Sequence, residues 1–512
     1  MDERAAKTQQ ETVSDGSDGE THSAWDSVMR LLNPIVCGIL LLSLVACGGG
    51  GSGSSSVTPE PIADNGGGGD GASDGSSDST DDSCGVSAQL DFVEQVSQSW
   101  YLWFDELAEV DKADFTDPGV YLDALTAPLA ADLRDPGFSY LTSISADEAR
   151  FTSGAYIGFG FRYTITGANQ FIMIDVFEGS PAHDAGFRRG WELLAIDLGT
   201  GFETMTALRD RGATSEEVFG TSDVGVERLF RLGKADTLLE AVVAKVELDP
   251  PALAGEPLLL ARPGNSPVAY LNLRQFILSA NDPLSSASQT FADAGVTDMV
   301  VDLRYNGGGL LSVADNMMDL LGGGVADGAL SFQLSHNSQH TEEDANQQGF
   351  FNELANTMTP QRIAFITSGS TASASELVIN ALDPHIEVVL IGADTYGKAV
   401  GQYAFDLEQC DVRLRLTAFE IVNGEGQGGY YTGLYDTGRF TLCSAQDDIF
   451  NGFGDPQEAS LAAAMDWLAT GTCQTERSLN VKQSQRATTR GAVPAWWRAN
   501  TVRPDRLDPT LK

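Results

Sequence analysis

Residues 362–382 of the chain are RIAFITSGSTASASELVINAL. The first part of this stretch, residues 362–366, is short and apolar and predicts a buried strand. The run from Glu376 to Leu382 has helical spacing and stops before Asp383-Pro384, where a helix is expected to end. The small residues in between therefore predict a strand-to-helix turn, where a hydroxyl can face the free N–H groups of a helix N-terminus.

A second predicted strand, residues 387–391, leads to Lys398, which follows Ser373 by 25 residues. A serine hydroxyl is a weak nucleophile and needs a base, so this order suggests a Ser/Lys dyad. A free lysine, with a pKa of about 10.4, is protonated at pH 7, so a neutral lysine base needs a buried, apolar setting. The alternative is that Ser373 and Ser375 cap the helix and that Lys398 is a solvated loop residue.

Composition limits the class of protein. The 512 residues suffice for two or three domains, and the net charge of -41 argues against nucleic acid as a partner. The six cysteines form no CxxC pair, so we expect no structural zinc. We also expect no other metal and no cofactor.

The N-terminal region predicts export and a lipid anchor. An apolar run at residues 35–46 is too short to span a bilayer and fits a signal peptide, with Met29 as the expected true start. The ending Leu44-Val45-Ala46-Cys47 resembles the lipobox of bacterial lipoproteins, which implies cleavage before Cys47 and lipid attachment to its sulfur. Gly48 in the next position favours the outer over the inner membrane. The alternative is a single membrane anchor with an acidic cytoplasmic tail.

The rest of the chain divides by composition and periodicity into a multidomain α+β protein. The predicted parts are the leader and signal peptide (1–47), a disordered Gly/Ser/Asp linker (48–85), a small helical domain (86–152), a β-rich domain (153–249), an α/β domain (250–473) and a basic, disordered tail (474–512). In the helical domain, residues 90–96 and 100–104 carry helical apolar spacing. In the α/β domain the expected strands are 268–273, 299–303, 362–367 and 387–392.

The β-rich segment resembles a PDZ domain. It contains a Gly158-Phe159-Gly160-Phe161 loop, a short helix starting at Ser180-Pro181 and a strand after Arg189-Gly190. In PDZ domains such a loop holds a peptide's terminal carboxylate with backbone N–H groups, and the peptide adds as a strand. The alternative is an ordinary glycine-bearing hairpin.

Three ordered motifs lie in the α/β domain: DLRYNGGG (302–309), TASASE (371–376) and GKAVGQ (397–402). Glycines at the end of a strand let backbone N–H groups converge on an anion, although a tight loop without a ligand is the alternative. With the PDZ-like segment these motifs resemble the carboxyl-terminal processing peptidases (tail-specific proteases) over residues 86–473. The resemblance implies a crotonase/ClpP-like serine peptidase domain.

The resemblance also implies roles for individual residues. Ser373 is the expected nucleophile, Lys398 the general base and Gln402 the residue that orients it. The expected oxyanion hole is formed by the N–H groups of Gly308 and Ala374; Glu376 supports the site and Ser375 is structural. One departure is Ala399, where the family usually has glycine, so a need for positive φ there would strain the lysine loop.

The expected function is therefore a lipid-anchored endopeptidase of the bacterial envelope, facing the periplasm and acting on proteins with accessible C-terminal tails. An adaptor lipoprotein is a possible partner. The alternative is a peptide-binding envelope lipoprotein that does not cleave. Among the histidines, His336 and His340 have the spacing of one helix face but lack a metalloprotease motif, and we expect them on the surface.

An oxidising envelope compartment favours disulfides. After processing, four cysteines remain, and three pairings are possible. We favour Cys84–Cys473, which would join the two ends of the folded region, and Cys410–Cys443, which flank a region of turns. Free buried thiols are the alternative.

Overall fold

The computed structural model describes residues 83–262, 265–344 and 347–473. The leader, Cys47, nearly all of the linker and the basic tail lie outside these residues, so the expectations for them stay predictions. None of the helices in the described part of the chain is both long and apolar enough to cross a bilayer.

The α-helices of the described residues are α1 (Val86–Trp100), α2 (Pro118–Leu125), α3 (Ala127–Ala131), α4 (Ile144–Ser153), α5 (Pro181–Asp184), α6 (Met205–Asp210), α7 (Ser215–Phe219), α8 (Asn281–Asp293), α9 (Leu311–Ala326), α10 (Thr341–Asp344), α11 (Ala374–Leu382) and α12 (Ala459–Thr470). The strands are β1 (Tyr140–Thr142), β2 (Tyr156–Gly158), β3 (Phe161–Ile165), β4 (Phe171–Val176), β5 (Glu192–Asp197), β6 (Phe202–Thr204), β7 (Glu227–Lys234), β8 (Thr237–Ala244), β9 (Val246–Leu248), β10 (Leu258–Leu260), β11 (Val268–Asn272), β12 (Asp298–Asp302), β13 (Leu330–His336), β14 (Gln348–Phe350), β15 (Arg362–Thr367), β16 (Glu387–Gly392), β17 (Val400–Leu407), β18 (Val412–Asn423) and β19 (Leu442–Ser444).

A six-stranded sheet of order β10-β11-β12-β15-β16-β19 carries the chemistry-bearing loops. All neighbours from β11 to β19 are parallel, and the four predicted strands of the α/β domain are confirmed as β11, β12, β15 and β16. Helices α8, α9 and α11 pack on one face and α12 packs on the other. Because parallel strands all end at the same edge, the loops after β12 and β15 meet there.

A second sheet joins the N-terminal helices to the α/β part of the chain. Strands β1, β18, β13 and β14 lie side by side and β17 also pairs with β18. Helices α1 and α2 cover Leu414 and Leu416 of β18. The predicted continuation of helix over residues 100–104 is wrong: the chain turns extended at Tyr101, and the Leu102 N–H donates to Thr417 O at 3.0 Å. Backbone pairing with β18 outweighs the local helical pattern there.

Residues 156–248 form a separate antiparallel sheet of order β3-β4-β5-β7-β8, with β6 beside β5, together with the short pair β2–β9. Its core combines six aromatic side chains with aliphatic ones. The predicted short helix is present as α5, whose N-cap Ser180 Oγ accepts from the His183 N–H at 3.2 Å. A buried ion pair, Asp175–Arg274, joins this sheet to the segment after β11.

Both preferred disulfide pairings are wrong. The structure pairs Cys84 with Cys410 and Cys443 with Cys473, with Cα–Cα distances of 5.2 and 5.1 Å. Cys84 precedes α1, which lies on the β17–β18 hairpin that carries Cys410. Cys473 follows α12, which packs on the face of the parallel sheet that contains Cys443. Each end of the folded region is thus fastened to the sheet it covers, and the two ends are not fastened to each other.

The surface prediction is wrong for His336, whereas His340 is partly exposed. His336 ends strand β13, is 9% exposed, and its Nε2 lies 2.8 Å from Tyr403 Oη. His340 stacks on Trp100 with ring centroids 3.6 Å apart. His336 lies on a strand and His340 lies in the loop after it, so the four-residue spacing does not reflect a helix face.

Candidate active site

Ser373 occupies the turn between β15 and α11, where the sequence predicts the nucleophile. Its backbone has φ 57° and ψ −118°, and it is one of five non-glycine residues of the described chain with positive φ. Such a conformation costs on the order of 1–3 kcal/mol and persists mainly where function requires it. The strained turn places Ser373 at the N-cap of α11, at the positive end of the helix dipole.

The glycine loop after β12 packs directly against this turn. A Cβ on Gly308 would lie 2.8 Å from both Ala372 O and Ser373 Cβ and 2.9 Å from Ala374 N, and Gly308 has φ +99°. Both the space and the backbone conformation therefore require glycine at this position.

Asn306 fixes the glycine loop and the serine turn to each other. Its carbonyl oxygen accepts from the Ala372 N–H at 3.1 Å and from the Ser375 hydroxyl at 3.0 Å, while its Nδ2 donates to Leu273 O at 2.9 Å. Asn306 and Ser375 are both fully buried. Ser375 therefore has a structural contact with the glycine loop, next to Ser373.

The N–H of Gly308, one of the two expected oxyanion donors, donates to Asn306 Oδ1 at 2.9 Å. A negatively charged oxygen on substrate would have to take this N–H from a neutral amide oxygen. Hydrogen bonds to charged acceptors are roughly twice as strong as those to neutral ones, which favours the exchange. The oxyanion roles of Gly308 and Ala374 stay predictions.

Lys398 lies in the buried setting that a lysine base needs. It is 3% exposed, and its neighbours Ala399 and Val400 are fully buried. Its Nζ donates to Gln402 Oε1 at 2.7 Å and stands 4.7 Å from the ring centroid of Phe138. Ala399 is not among the positive-φ residues of the described chain, so the strain considered for its loop does not arise.

Glu376 joins the backbone of Ser373 to the backbone of Lys398. Its Oε2 accepts from the N–H groups of Ser373 at 2.9 Å and Lys398 at 2.8 Å, and its Oε1 accepts from Gly397 at 2.8 Å. The side chain is fully buried. Burial raises the pKa of Glu376 to about 7, against the opposing effect of the Thr395 side chain and of these backbone donors.

The loop with the PDZ-like sequence lies at the edge of the second antiparallel sheet. Phe159 and Phe161 enter a cluster of rings with Phe187 and Phe230. Gly160 has φ +94° and faces Ser180 so closely that a Cβ would overlap it. Strand β3, which follows the loop, is an edge strand, so its outer side is placed for strand addition by a peptide.

Sequence reasoning missed a loop that reaches the lysine from the N-terminal helices. Gln402 Nε2 donates to Phe138 O at 2.6 Å, and Asp135 accepts from several backbone N–H groups around Phe138. The sequence Asp135-Pro136-Gly137 is a turn signal, but nothing local indicates what the turn touches, because Phe138 and Gln402 are 264 residues apart.

A buried lysine and a serine on a strained turn, whose backbone N–H groups share one carboxylate, have the features that a Ser/Lys hydrolase needs. Residues 267–433 match peptidase family S41. The match covers about a third of the chain and includes Ser373, Lys398 and Gln402, and it supports the resemblance to the carboxyl-terminal processing peptidases.

Curated relatives agree with this assignment. The carboxyl-terminal-processing protease of Synechocystis sp. is 28% identical over 257 residues, which are 50% of this chain and 56% of that protein. Carboxyl-terminal-processing peptidase 2, chloroplastic, of Arabidopsis thaliana is 27% identical over 54% of this chain and 53% of the relative. The chain thus spans about half the length of these relatives. A carboxy-terminal processing protease of Bacillus subtilis is 22% identical over 65% of this chain and 67% of that protein.

A solved structure supports the fold. A Bacteroides fragilis protein assigned to the S41 proteases superposes with a TM-score of 0.59 at 24% identity and covers 74% of this chain and 97% of its own. The multidomain α+β fold class expected from the sequence is therefore confirmed.

Proposed function

We propose that this chain is a serine endopeptidase of the carboxyl-terminal processing type that cleaves unstructured or C-terminal protein segments. Ser373 is the nucleophile and Lys398 the general base. The observation that carries this proposal is the single oxygen, Glu376 Oε2, which accepts from the N–H groups of both residues and so fixes their backbones relative to each other. The burial of Lys398 adds the dry setting that a neutral amine needs.

In the proposed reaction, neutral Lys398 takes the proton of the Ser373 hydroxyl as its oxygen attacks a peptide carbonyl carbon. The carbonyl oxygen becomes an oxyanion, held by N–H groups at Ala374 and Gly308. Collapse breaks the C–N bond, and the lysine ammonium returns the proton to the leaving amine. Lys398 then takes a proton from a water molecule that attacks the ester carbon, and the ammonium returns this proton to Ser373 Oγ as the C–O bond breaks and the product carboxyl group leaves.

Substrate capture and location follow the sequence-based expectations. The loop at residues 158–161 and edge strand β3 would take up a C-terminal tail as an added strand. Lipid attachment at Cys47 would hold the enzyme at the outer membrane of the bacterial envelope, facing the periplasm, where an adaptor lipoprotein would present substrates. The supporting features are the signal-peptide pattern and the edge position of β3.

The test compares the mature chain from residue 47 with its Ser373→Ala variant. Ser370→Ala, in the same turn, is the matched control. Each is incubated with an unfolded protein that has an apolar C-terminus, and the products are identified by mass spectrometry. We expect cleavage by the parent and by Ser370→Ala alone. Tail binding without cleavage by any of the three would support the non-catalytic lipoprotein, and equal cleavage by all would refute Ser373 as nucleophile.

A further inference from the structure

A loop from the N-terminal helices, outside the S41 match, contacts the proposed base. Phe138 is fully buried, its carbonyl oxygen accepts from Gln402 Nε2 at 2.6 Å, and its ring centroid lies 4.7 Å from Lys398 Nζ. We propose that Phe138 is a positioning residue of the Ser/Lys site, which sets the orientation of the Gln402 amide and covers the amine of Lys398. This inference rests on the proposed function.

The carbonyl oxygen of Phe138 decides the orientation of Gln402. A carbonyl can only accept, so the amide must turn its NH2 group to Phe138 and its Oε1 to Lys398. The reversed amide would place two acceptors against each other at one end and two donors at the other. Held this way, Oε1 takes one N–H of the lysine amine at 2.7 Å. The lone pair of the neutral amine is then left for the proton of Ser373.

The ring of Phe138 acts on the protonated form of the lysine. The face of an aromatic ring attracts a cation, most strongly where water is excluded. Lys398 becomes an ammonium when it takes the serine proton, so the ring stabilises the charge that develops during attack. The ring also occupies the space from which water could reach Nζ.

Asp135 holds the loop in place. Its Oδ1 accepts from the N–H groups of Gly137 at 3.1 Å, of Ser139 at 3.2 Å and of Phe138 itself, and its Oδ2 accepts from Tyr101 Oη at 3.1 Å and Ser139 Oγ at 2.7 Å. The carboxylate is fully buried. Ser139 Oγ in turn accepts from the Thr417 N–H of β18 at 3.1 Å. The Phe138 carbonyl is thus fixed to the same sheet that carries Gln402 on β17.

The test measures how fast Ser373 is modified by a small sulfonyl fluoride, which needs no peptide-binding groove. The mature chain, Phe138→Leu and Phe138→Ala are compared from pH 5 to 10 by intact mass, with Ser373→Ala as the blank. Phe115→Leu is the control: Phe115 is a half-buried ring of the N-terminal helices that packs on Tyr121. Thermal unfolding shows which variants are folded.

In Phe138→Leu, the midpoint of the rise of rate with pH should move down by about one unit, because the amine loses a partner that favours its charged form. The plateau rate should fall severalfold. In Phe138→Ala, water enters beside Nζ and stabilises the ammonium, so the midpoint should lie above that of Phe138→Leu. The titratable groups near the same loop or lysine are Glu376, Asp135, Tyr101 and Tyr396, whose ring centroid lies 6.0 Å from that of Phe138. All four residues are retained in every variant, so the comparison isolates the change at Phe138.

Two failures can be told apart. A Phe138→Leu profile that matches the parent and Phe115→Leu, or that moves to higher pH, overturns the role of Phe138 while leaving the dyad intact. If the parent does not react at Ser373, or if Ser373→Ala is modified equally, the proposed function itself fails and this inference fails with it. If Phe138→Leu does not fold, Phe138→Met, which keeps apolar volume without a ring, takes its place with the same expected shift.

Discussion

Replacing Glu376 with Gln should change how the stability of the protein depends on pH. The carboxyl is fully buried, and burial raises its pKa to about 7 from an ordinary 4.5. A raised pKa means that the folded state prefers the protonated form. Below pH 4.5 both states are protonated; as pH rises towards 7, only the unfolded state releases its proton. The parent therefore loses about 3 kcal/mol of stability over this window, and Glu376→Gln does not.

The assay is differential scanning calorimetry of the mature parent chain and Glu376→Gln at steps between pH 5 and 8. Other acidic residues titrate in both proteins, so only the difference between the two unfolding temperatures is used. A loss of about 3 kcal/mol corresponds to a relative fall in unfolding temperature of roughly 4 °C when all of the described residues unfold as one cooperative unit. Only the change of this difference with pH is used, because at every pH the amide in Glu376→Gln accepts one backbone hydrogen bond fewer than the carboxylate.

The change with pH in the stability difference between parent and variant shows whether burial raises the pKa of Glu376. A difference between parent and variant that stays flat from pH 5 to 7 would show that the three backbone donors offset burial and keep Glu376 ionised. A parent that gains stability over this range, relative to the variant, would show that those donors outweigh burial. Either result would refute burial as the dominant influence on this carboxyl.

Further predictions concern the framework of the site. Gly308→Ala should lower kcat/KM at least about 100-fold, because its Cβ would overlap Ser373 and Ala372 O, and a positive φ costs a further 1–2 kcal/mol; near-normal cleavage would contradict this. Ser375→Ala should cost about 1 kcal/mol in urea unfolding and keep most activity, since the Asn306 carbonyl retains its bond from Ala372; complete inactivation would instead give Ser375 a chemical role. Replacing Cys443 and Cys473 with serine should cost about 2–4 kcal/mol without changing the cleavage rate at 25 °C; an unchanged unfolding temperature would contradict it.

The turn that carries Ser373 could be predicted because its determinants are local. An apolar strand, a run of small residues and a helix with its own stop signal are contiguous in residues 362–384, and the structure has β15, the turn and α11 in that order. The same holds for β16 and the approach to Lys398. In each case the signal lies within about ten residues of the feature it predicts.

The disulfides and the histidines could not be predicted, because their partners are distant in sequence. Cys84 and Cys410 are 326 residues apart, and they pair because α1 packs on a particular hairpin. Periodicity assigned residues 100–104 to a helix, but the Leu102 N–H bonds to the Thr417 carbonyl oxygen of β18 instead. Contacts between residues distant in sequence therefore determine both the disulfide and the extended backbone after α1, and a local sequence pattern does not predict such contacts.

The position of Phe138 bears on where the active site begins and ends. The S41 match covers residues 267–433 and contains Ser373, Lys398 and Gln402, yet the second partner of the Gln402 amide lies well before it. An amide with a single fixed partner can turn over, and an overturned Gln402 would offer the lysine a donor in place of an acceptor. The N-terminal helices therefore do more than cover β18: through the loop at residues 135–139 they define which atom faces the base. On this argument, loosening that loop should impair the chemistry even when the S41 segment itself stays folded.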